Sequence, residues 1–118
     1  MSLSDRQHKF GKLFSKLLKF LERSSIKYTI GEVYRPQHMQ DWYYEHGYSQ
    51  TQISQHLKKL AVDMNIFLMV QGHRTPQLRY DKESLQHIGN YWEGLDPDCR
   101  WGGNYKSFLD TSHFELKG

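Results

Sequence analysis

The first quarter of the chain carries apolar residues at the three- and four-residue spacing of a helix. Ser4 and Gln7, just before this run, fit a capping box at a helix start. The pattern predicts an amphipathic helix over about residues 5–24, with its apolar side docked on a sheet and its lysine side in water. A basic helix lying on a membrane surface is the alternative. The apolar residues are Phe10, Leu13, Phe14, Leu17, Leu18 and Leu21.

Two stretches rich in β-branched and aromatic residues predict β-strands. The first covers residues 26–34, where Gly31 indicates a bulge. The second covers residues 60–70, and all of its even positions are apolar. Because side chains alternate across a strand, these even positions are expected to face the core, and Asp63 to face away from it.

Turn residues and a second helical spacing divide the remaining chain. Pro36 begins a short predicted helix that ends at Gly47. Asp81 caps a third helix, which is predicted to end at Gly94. The predicted loops are residues 48–59, 71–80 and 96–104.

A final strand is predicted at the end of the chain, with Phe114 and Leu116 on one face and His113 and Glu115 on the other. The candidate polar residues again lie opposite the apolar ones. The element order predicts one α+β domain over residues 1–118. Its helices are expected to pack on one face of a small antiparallel sheet, with a cleft on the other.

Composition narrows the class of protein only slightly. Sixteen basic and 13 acidic residues give a net charge of +3, which suits nucleic acid, a membrane surface or an anionic cell wall equally. Cys99 is the single cysteine, so an intramolecular disulfide framework is excluded. The N-terminus lacks the pattern of a signal peptide, and no apolar run has transmembrane length. We therefore expect synthesis in the cytoplasm and delivery to any outside target by another component.

Two segments, residues 54–63 and 101–115, contain the candidate chemistry. His56, Asp63 and His113 are ligands that zinc accepts, and three protein ligands leave a fourth position for water. An isolated pair such as His56 and Asp63 is more often two surface residues. The strand positions of Asp63 and His113 favour a metal site instead.

A carboxylate suited to proton transfer lies close to the last of these ligands. Asp110 is three residues before His113, where it can handle the protons of a water molecule at the metal. Trp101, Gly102 and Gly103 lie nearby in the chain. They are expected to form a wall of the cleft, with the glycines letting the backbone approach a substrate closely.

The arrangement of these motifs resembles the D-alanyl-D-alanine carboxypeptidase-like (VanY-like) zinc peptidases, and most closely the phage L-alanyl-D-glutamate endolysins. The likeness covers roughly residues 30–116. The motifs that carry it are His56 to Asp63, Ile88 to Leu95, Cys99 to Asn104 with Trp101-Gly-Gly, Asp110-x-x-His113-Phe-Glu115, Tyr34-Arg35, Gln40 and Gly47 to Thr51.

The resemblance implies that one zinc ion is bound by His56, Asp63 and His113, that Asp110 is the catalytic carboxylate, and that Arg35 steadies the substrate carbonyl. We expect Glu115 to orient a metal ligand; an ordinary exposed strand carboxylate is the alternative. Residues expected to bind substrate or support the ligands are Gln40, Ser49, Ser54, Trp101, Gly102 and Glu115.

One residue departs from the family pattern. Lys59 stands where the family usually has glycine in the turn between the first two ligands. Lysine can occupy such a turn if its φ angle stays negative, and its presence does not cancel the site.

The function implied is zinc-dependent hydrolysis of an amide bond in the stem peptide of peptidoglycan, between L-Ala and D-Glu, by a monomer. A D,D-carboxypeptidase or D-Ala-D-Ala dipeptidase would share the same zinc core. A wall-binding module without catalysis would keep the fold and the metal. From a different class, a basic nucleic-acid-binding domain would use the basic helix and the aromatic residues.

Overall fold

The fold is described from a computed structural model, in residues 1–49 and 54–117. Three α-helices, five β-strands and two short 3₁₀ turns make up these residues. Their bounds are α1 Leu3–Arg23, β1 Lys27–Ile30, α2 Gln37–Glu45, a 3₁₀ turn Gln55–Lys58, β2 Ala61–Leu68, β3 Gln77–Arg79, α3 Lys82–Leu95, β4 Cys99–Trp101, a 3₁₀ turn Gly102–Asn104 and β5 His113–Leu116.

The first helix begins two residues earlier than predicted. Its cap is Ser2, whose hydroxyl accepts from the Asp5 N–H at 3.1 Å, while the Asp5 carboxylate accepts from the Ser2 N–H. The predicted box of Ser4 and Gln7 is therefore wrong, because an acidic residue three positions after Ser2 completes the same reciprocal pair upstream.

The apolar side of α1 is buried, as the helical spacing predicted. Phe10, Leu13, Leu17 and Leu21 join the core, while the lysines at positions 12, 16 and 19 are exposed. The helix thus docks by its apolar stripe and keeps its lysine side in water. In residues 1–49 and 54–117, no helix is long and apolar enough to cross a membrane.

The strands form one antiparallel sheet in the order β1-β2-β5-β4, and β3 pairs with the far end of β2. The core lies between this sheet and helices α1 and α3. The even positions of β2 from Val62 to Ile66 are buried there, beside Phe114 and Leu116 of β5. The predicted α+β class and antiparallel sheet are confirmed.

The short elements were not predicted. β3 and β4 are three residues long and lie in stretches predicted as loops, and a 3₁₀ turn lies in the predicted loop 48–59. Such short strands form because a neighbouring strand pairs with them. They contain too few residues to show an alternation of apolar and polar positions in the sequence. The long predicted strands shrink to Lys27–Ile30 and Ala61–Leu68, and α3 continues through Gly94 to Leu95.

Candidate metal centre

Asp63 and His113 are brought together by strand register. They are direct partners across the antiparallel pair β2–β5. The backbone of Asp63 is fixed on its other side as well, since its N–H donates to the Glu32 carbonyl at 2.9 Å and its carbonyl accepts from the Gly31 N–H at 2.7 Å. A β-carbon on Gly31 would lie 3.1 Å from that carbonyl oxygen, so glycine allows the close approach.

His56 reaches the same point from the 3₁₀ turn. Ser54 caps this turn, because its hydroxyl accepts from the His56 N–H at 3.2 Å. The imidazole is buried, and its Nδ1 donates to the Val33 carbonyl at 2.8 Å. This bond orients the ring so that Nε2 faces Asp63, whose Oδ1 lies 3.1 Å away.

His113 is oriented in the same way by a different acceptor. Its Nε2 donates to Glu115 Oε1 at 2.7 Å, and its Nδ1 lies 3.5 Å from Asp63 Oδ1. One ligand atom from each of His56, Asp63 and His113 lies within 4.8 Å of the others. Two imidazole nitrogens and one carboxylate oxygen, each histidine held through its second nitrogen, suit zinc with an open fourth position.

Glu115 is a buried carboxylate, only 6% exposed. Besides His113, it accepts from the Tyr105 hydroxyl at 2.6 Å and pairs with Arg100 at 3.2 Å. Burial alone would raise the pKa of Glu115, but the bonds from His113 and Tyr105 hold it below its ordinary value. The alternative of a plain exposed carboxylate is wrong, because these partners enclose it.

When no cation is bound, protonation of His113 compensates the negative charge of the neighbouring carboxylates. Burial opposes its protonation, but the hydrogen bonds to Asp63 and Glu115 prevail and raise the pKa of His113 to about 9. Burial would raise the pKa of Asp63 too, yet the two histidines hold it well below its usual range. A divalent cation held by these ligands would displace the proton from Nδ1 of His113.

Arg35 lies beside the ligand group in a fixed position. Its Nη2 is 3.5 Å from Asp63 Oδ2, and its Nε donates to the Glu32 carboxylate. Nη1 donates to Gln40 Oε1 at 2.7 Å, and the guanidinium lies 4.6 Å from the centre of the Tyr43 ring. Arg35 thus presents a positive charge next to the candidate metal position.

Gln40 and Ser49 are two further predicted site residues. Gln40 contacts Arg35, and Ser49 contacts Gln40. Gln40 is fully buried and donates to the Ser49 hydroxyl at 3.0 Å while it accepts from Arg35. Gln40 therefore supports the arginine from α2, whereas Ser49 and Ser54 both line the cleft.

Asp110 lies in the same cleft as the three candidate ligands. Its N–H donates to the Gly102 carbonyl at 3.0 Å, and its carbonyl accepts from the His113 N–H at 3.1 Å. Its Oδ1 accepts from the Ser112 hydroxyl at 3.1 Å. A β-carbon on Gly102 would overlap the Asp110 carbonyl oxygen, so this glycine positions Asp110 and not a substrate.

The prediction that Trp101 forms a wall of the cleft is wrong. Its side chain is fully buried, and its Nε1 donates to the Thr111 carbonyl at 2.9 Å. Gly89 and Gly103 lie against its ring so closely that a β-carbon on either would overlap the indole. Trp101 is a core residue that ties β4 and α3 to the segment leading into β5.

The backbone of Lys59 does not meet the condition of a negative φ angle. Its φ is +58° and its ψ is 38°, which is the left-handed region that a β-carbon disfavours. The turn after His56 must reverse the chain into β2, and the Lys59 N–H donates to the His56 carbonyl at 3.2 Å. A glycine would take this conformation without strain.

The cleft has a volume of about 950 Å³ and contains several residues that sequence reasoning missed. No motif marks Tyr105 or Glu32, because each joins the site only through tertiary structure. Arg100 lies within the motif Cys99 to Asn104, but that motif assigned it no role. Arg100 does stand directly opposite Glu115 in the β4–β5 register, but β4 itself was predicted as a loop.

Comparison with known proteins identifies the family of this chain. A family model for D-alanyl-D-alanine carboxypeptidase matches residues 48–116, more than half of the chain. The chain belongs to this family, and it is therefore a peptidase of bacterial cell-wall peptides.

Among solved structures, the chain is similar to the crystal structure of the L-Ala D-Glu endopeptidase ChiX from Serratia marcescens. The TM-score is 0.70 at 21% identity, over 92% of this chain and 78% of that one. A likeness at this identity supports the fold. No curated protein sequence matches significantly.

Proposed function

We propose that this chain is a zinc-dependent peptidase that hydrolyses the bond between L-Ala and D-Glu in the peptidoglycan stem. One observation carries the proposal: His56, Asp63 and His113 offer ligand atoms within 4.8 Å of one another in a cleft that Asp110 also lines. The family assignment supports a peptidase. The choice of this particular bond is supported by the structural neighbour, which is an L-Ala D-Glu endopeptidase.

A zinc ion held by His56, Asp63 and His113 would lower the pKa of a water molecule and polarise the substrate carbonyl. Asp110 takes a proton from the attacking water and returns it to the leaving amine as the C–N bond breaks. Arg35 steadies the oxyanion, since its guanidinium is held beside Asp63 by Glu32 and Gln40.

Glu115 and Tyr105 orient the candidate ligand His113. Glu115 accepts a hydrogen bond from Nε2 of His113, which leaves Nδ1 as the nitrogen that can bind metal. Tyr105 donates to the same Glu115 oxygen and holds the carboxylate in that position. Ordered hydrogen bonds of this kind keep ligand atoms in place before substrate arrives.

Digestion of purified muropeptides, followed by mass spectrometry, tests the proposal. We expect products that begin with D-Glu, together with L-Ala left on the lactyl group of the sugar. A chelator should abolish these products and added zinc should restore them. Loss of a terminal D-Ala alone would instead establish a D,D-carboxypeptidase, and release of D-Ala-D-Ala a dipeptidase.

A further inference from the structure

Three aromatic rings form a stack at the surface beside the cleft. The centroids of Trp42 and His46 are 4.0 Å apart with planes 18° from parallel, and those of Trp42 and Tyr48 are 5.7 Å apart at 10°. Trp42 is 44% exposed and Tyr48 is 67% exposed. These three residues are named the aromatic ladder below.

The aromatic ladder is continuous with the candidate catalytic cleft. Tyr48 lines that cleft together with Tyr43. Tyr43 meets Trp42 edge to face at 5.7 Å and carries the Arg35 guanidinium over its ring at 4.6 Å. Two side-chain contacts therefore connect the ladder to the position beside Asp63.

Adjoining exposed rings of this kind are typical of a ligand-binding surface. A soluble domain seldom leaves adjoining large apolar side chains in water, and such patches mark binding sites. Stacked rings present flat apolar faces that fit the C–H face of a pyranose ring, while the polar edges of the rings remain in water. The proposed substrate supplies such a ring, because the stem peptide is joined to a glycan sugar through L-Ala.

We infer that the aromatic ladder binds the sugar that carries the stem peptide, an inference that rests on the proposed function. An extended residue spans about 3.5 Å, so the lactyl group and L-Ala separate the sugar from the L-Ala–D-Glu bond by only about 7 Å. The terminal D-Ala–D-Ala bond lies about 17 Å from the sugar by the same measure. A sugar site bordering the cleft thus selects the bond nearest the glycan.

Two matched substrates test this inference, namely a muramoyl peptide and the same stem peptide without its sugar. We expect the wild-type protein to hydrolyse the sugar-bearing substrate with a kcat/KM about fivefold higher. Trp42→Leu, which changes a residue outside the lining of the cleft, should remove this advantage and leave hydrolysis of the free peptide unchanged. Tyr44→Leu is the control, since Tyr44 is 45% exposed on the same helix and should keep the full advantage.

Tryptophan fluorescence gives a second readout that does not need turnover. Of the three tryptophans, Trp92 and Trp101 are fully buried, so Trp42 is the one that a surface ligand can reach. N-acetylmuramoyl-L-alanine, which lacks the bond to be cut, should change the emission of the wild-type protein. L-alanine alone should not, and the response should disappear in Trp42→Leu.

The outcomes separate this inference from the proposed function. Equal hydrolysis of both substrates by the wild-type protein would overturn the sugar site and leave the peptidase assignment standing. A loss in Trp42→Leu on both substrates alike would show that the ladder contacts the peptide, which also overturns it. If the zinc-loaded wild-type protein cleaved neither substrate at the L-Ala–D-Glu bond, the proposed function itself would fail.

Discussion

Single hydrogen bonds decide which atoms of the candidate metal centre are available. The Val33 carbonyl accepts a hydrogen bond from Nδ1 of His56, and Glu115 accepts one from Nε2 of His113. Each imidazole is left with one nitrogen directed towards Asp63. Nothing in the spacing of the histidines shows this division, because the acceptors come from other parts of the chain.

Asp110 provides the first prediction at this scale. In Asp110→Asn the side chain keeps its shape but cannot take a proton, so kcat/KM on muropeptides should fall at least ~100-fold. Zinc content and unfolding temperature should stay near the wild-type values, because Asp110 is not one of the three candidate ligands. Asp41→Asn, at a half-buried position of α2 outside the lining of the cleft, should retain full activity. Wild-type rates in Asp110→Asn would contradict the assigned proton transfer.

Lys59 provides a second prediction, this time on stability. Lys59→Gly should raise the free energy of unfolding by about 0.5–1 kcal/mol, because relief of the left-handed strain exceeds the entropy that glycine adds to the unfolded chain. Urea denaturation measures the change. Lys58→Gly is the matched control and should destabilise, since Lys58 lies within the 3₁₀ turn. A loss of stability in both variants would show that the strain at Lys59 is negligible.

At the scale of elements, β4 and β5 act together to hold His113. Arg100 stands opposite Glu115 in the register, and Tyr105 follows β4 after one 3₁₀ turn. Both residues therefore reach the Glu115 carboxylate from a neighbouring strand. The orientation of a ligand on β5 depends on the segment that follows β4.

This arrangement predicts a graded loss of metal affinity. Glu115→Gln should weaken zinc binding ~10- to 100-fold, because the carboxylate that orients His113 and raises its basicity is lost. Tyr105→Phe should have a smaller effect, since it removes only one bond to Glu115. Competition with a chelating dye measures both, with the exposed Glu83→Gln as control. Unchanged affinity in Glu115→Gln would remove Glu115 from the site.

The elements also show how far the sequence determines the site. Alternation along β2 and β5 predicted that Asp63 and His113 point away from the apolar core residues, and both line the cleft. This alternation can be seen in the sequence of each strand by itself. Trp101 was assigned to the cleft because of its neighbours in the chain, but packing against Gly89 in α3 makes it a core residue. That contact joins distant segments, so no local pattern encodes it.

At the scale of the whole molecule, folding gathers two carboxylates and two imidazoles that are remote in sequence. Burial favours neutral groups, yet Asp63 and Glu115 keep depressed pKa values because His113 carries a compensating proton. With a chelator present, protonation of His113 should therefore contribute to the stability of the fold. A metal ion would take over its role as the positive charge.

The stability of the metal-free protein should therefore depend on pH. The pKa of His113 is about 9 in the folded state against 6.5 ordinarily, so its contribution is complete below pH 6.5 and is lost as the pH rises to 9. With a chelator present, the unfolding temperature should fall by at least ~4 °C across this range. The stabilisation produced by zinc should grow over the same range.

Variants of histidine provide the controls for this pH dependence. His113→Gln should show a much flatter profile in chelator, whereas His87→Gln, on the exposed side of α3, should follow the wild-type protein. A wild-type profile without any fall between pH 6.5 and 9 would contradict the protonated state assigned to His113.

The most direct test of the central claim is the zinc content of the purified protein, measured by elemental analysis after equilibration with zinc and removal of excess metal. We predict one zinc ion per chain in the wild-type protein and in Asp110→Asn, and almost none in His56→Ala or Asp63→Ala. Circular dichroism establishes that each variant is folded. A folded His56→Ala with the zinc content of the wild-type protein, or a wild-type protein that retains no zinc, would contradict the account.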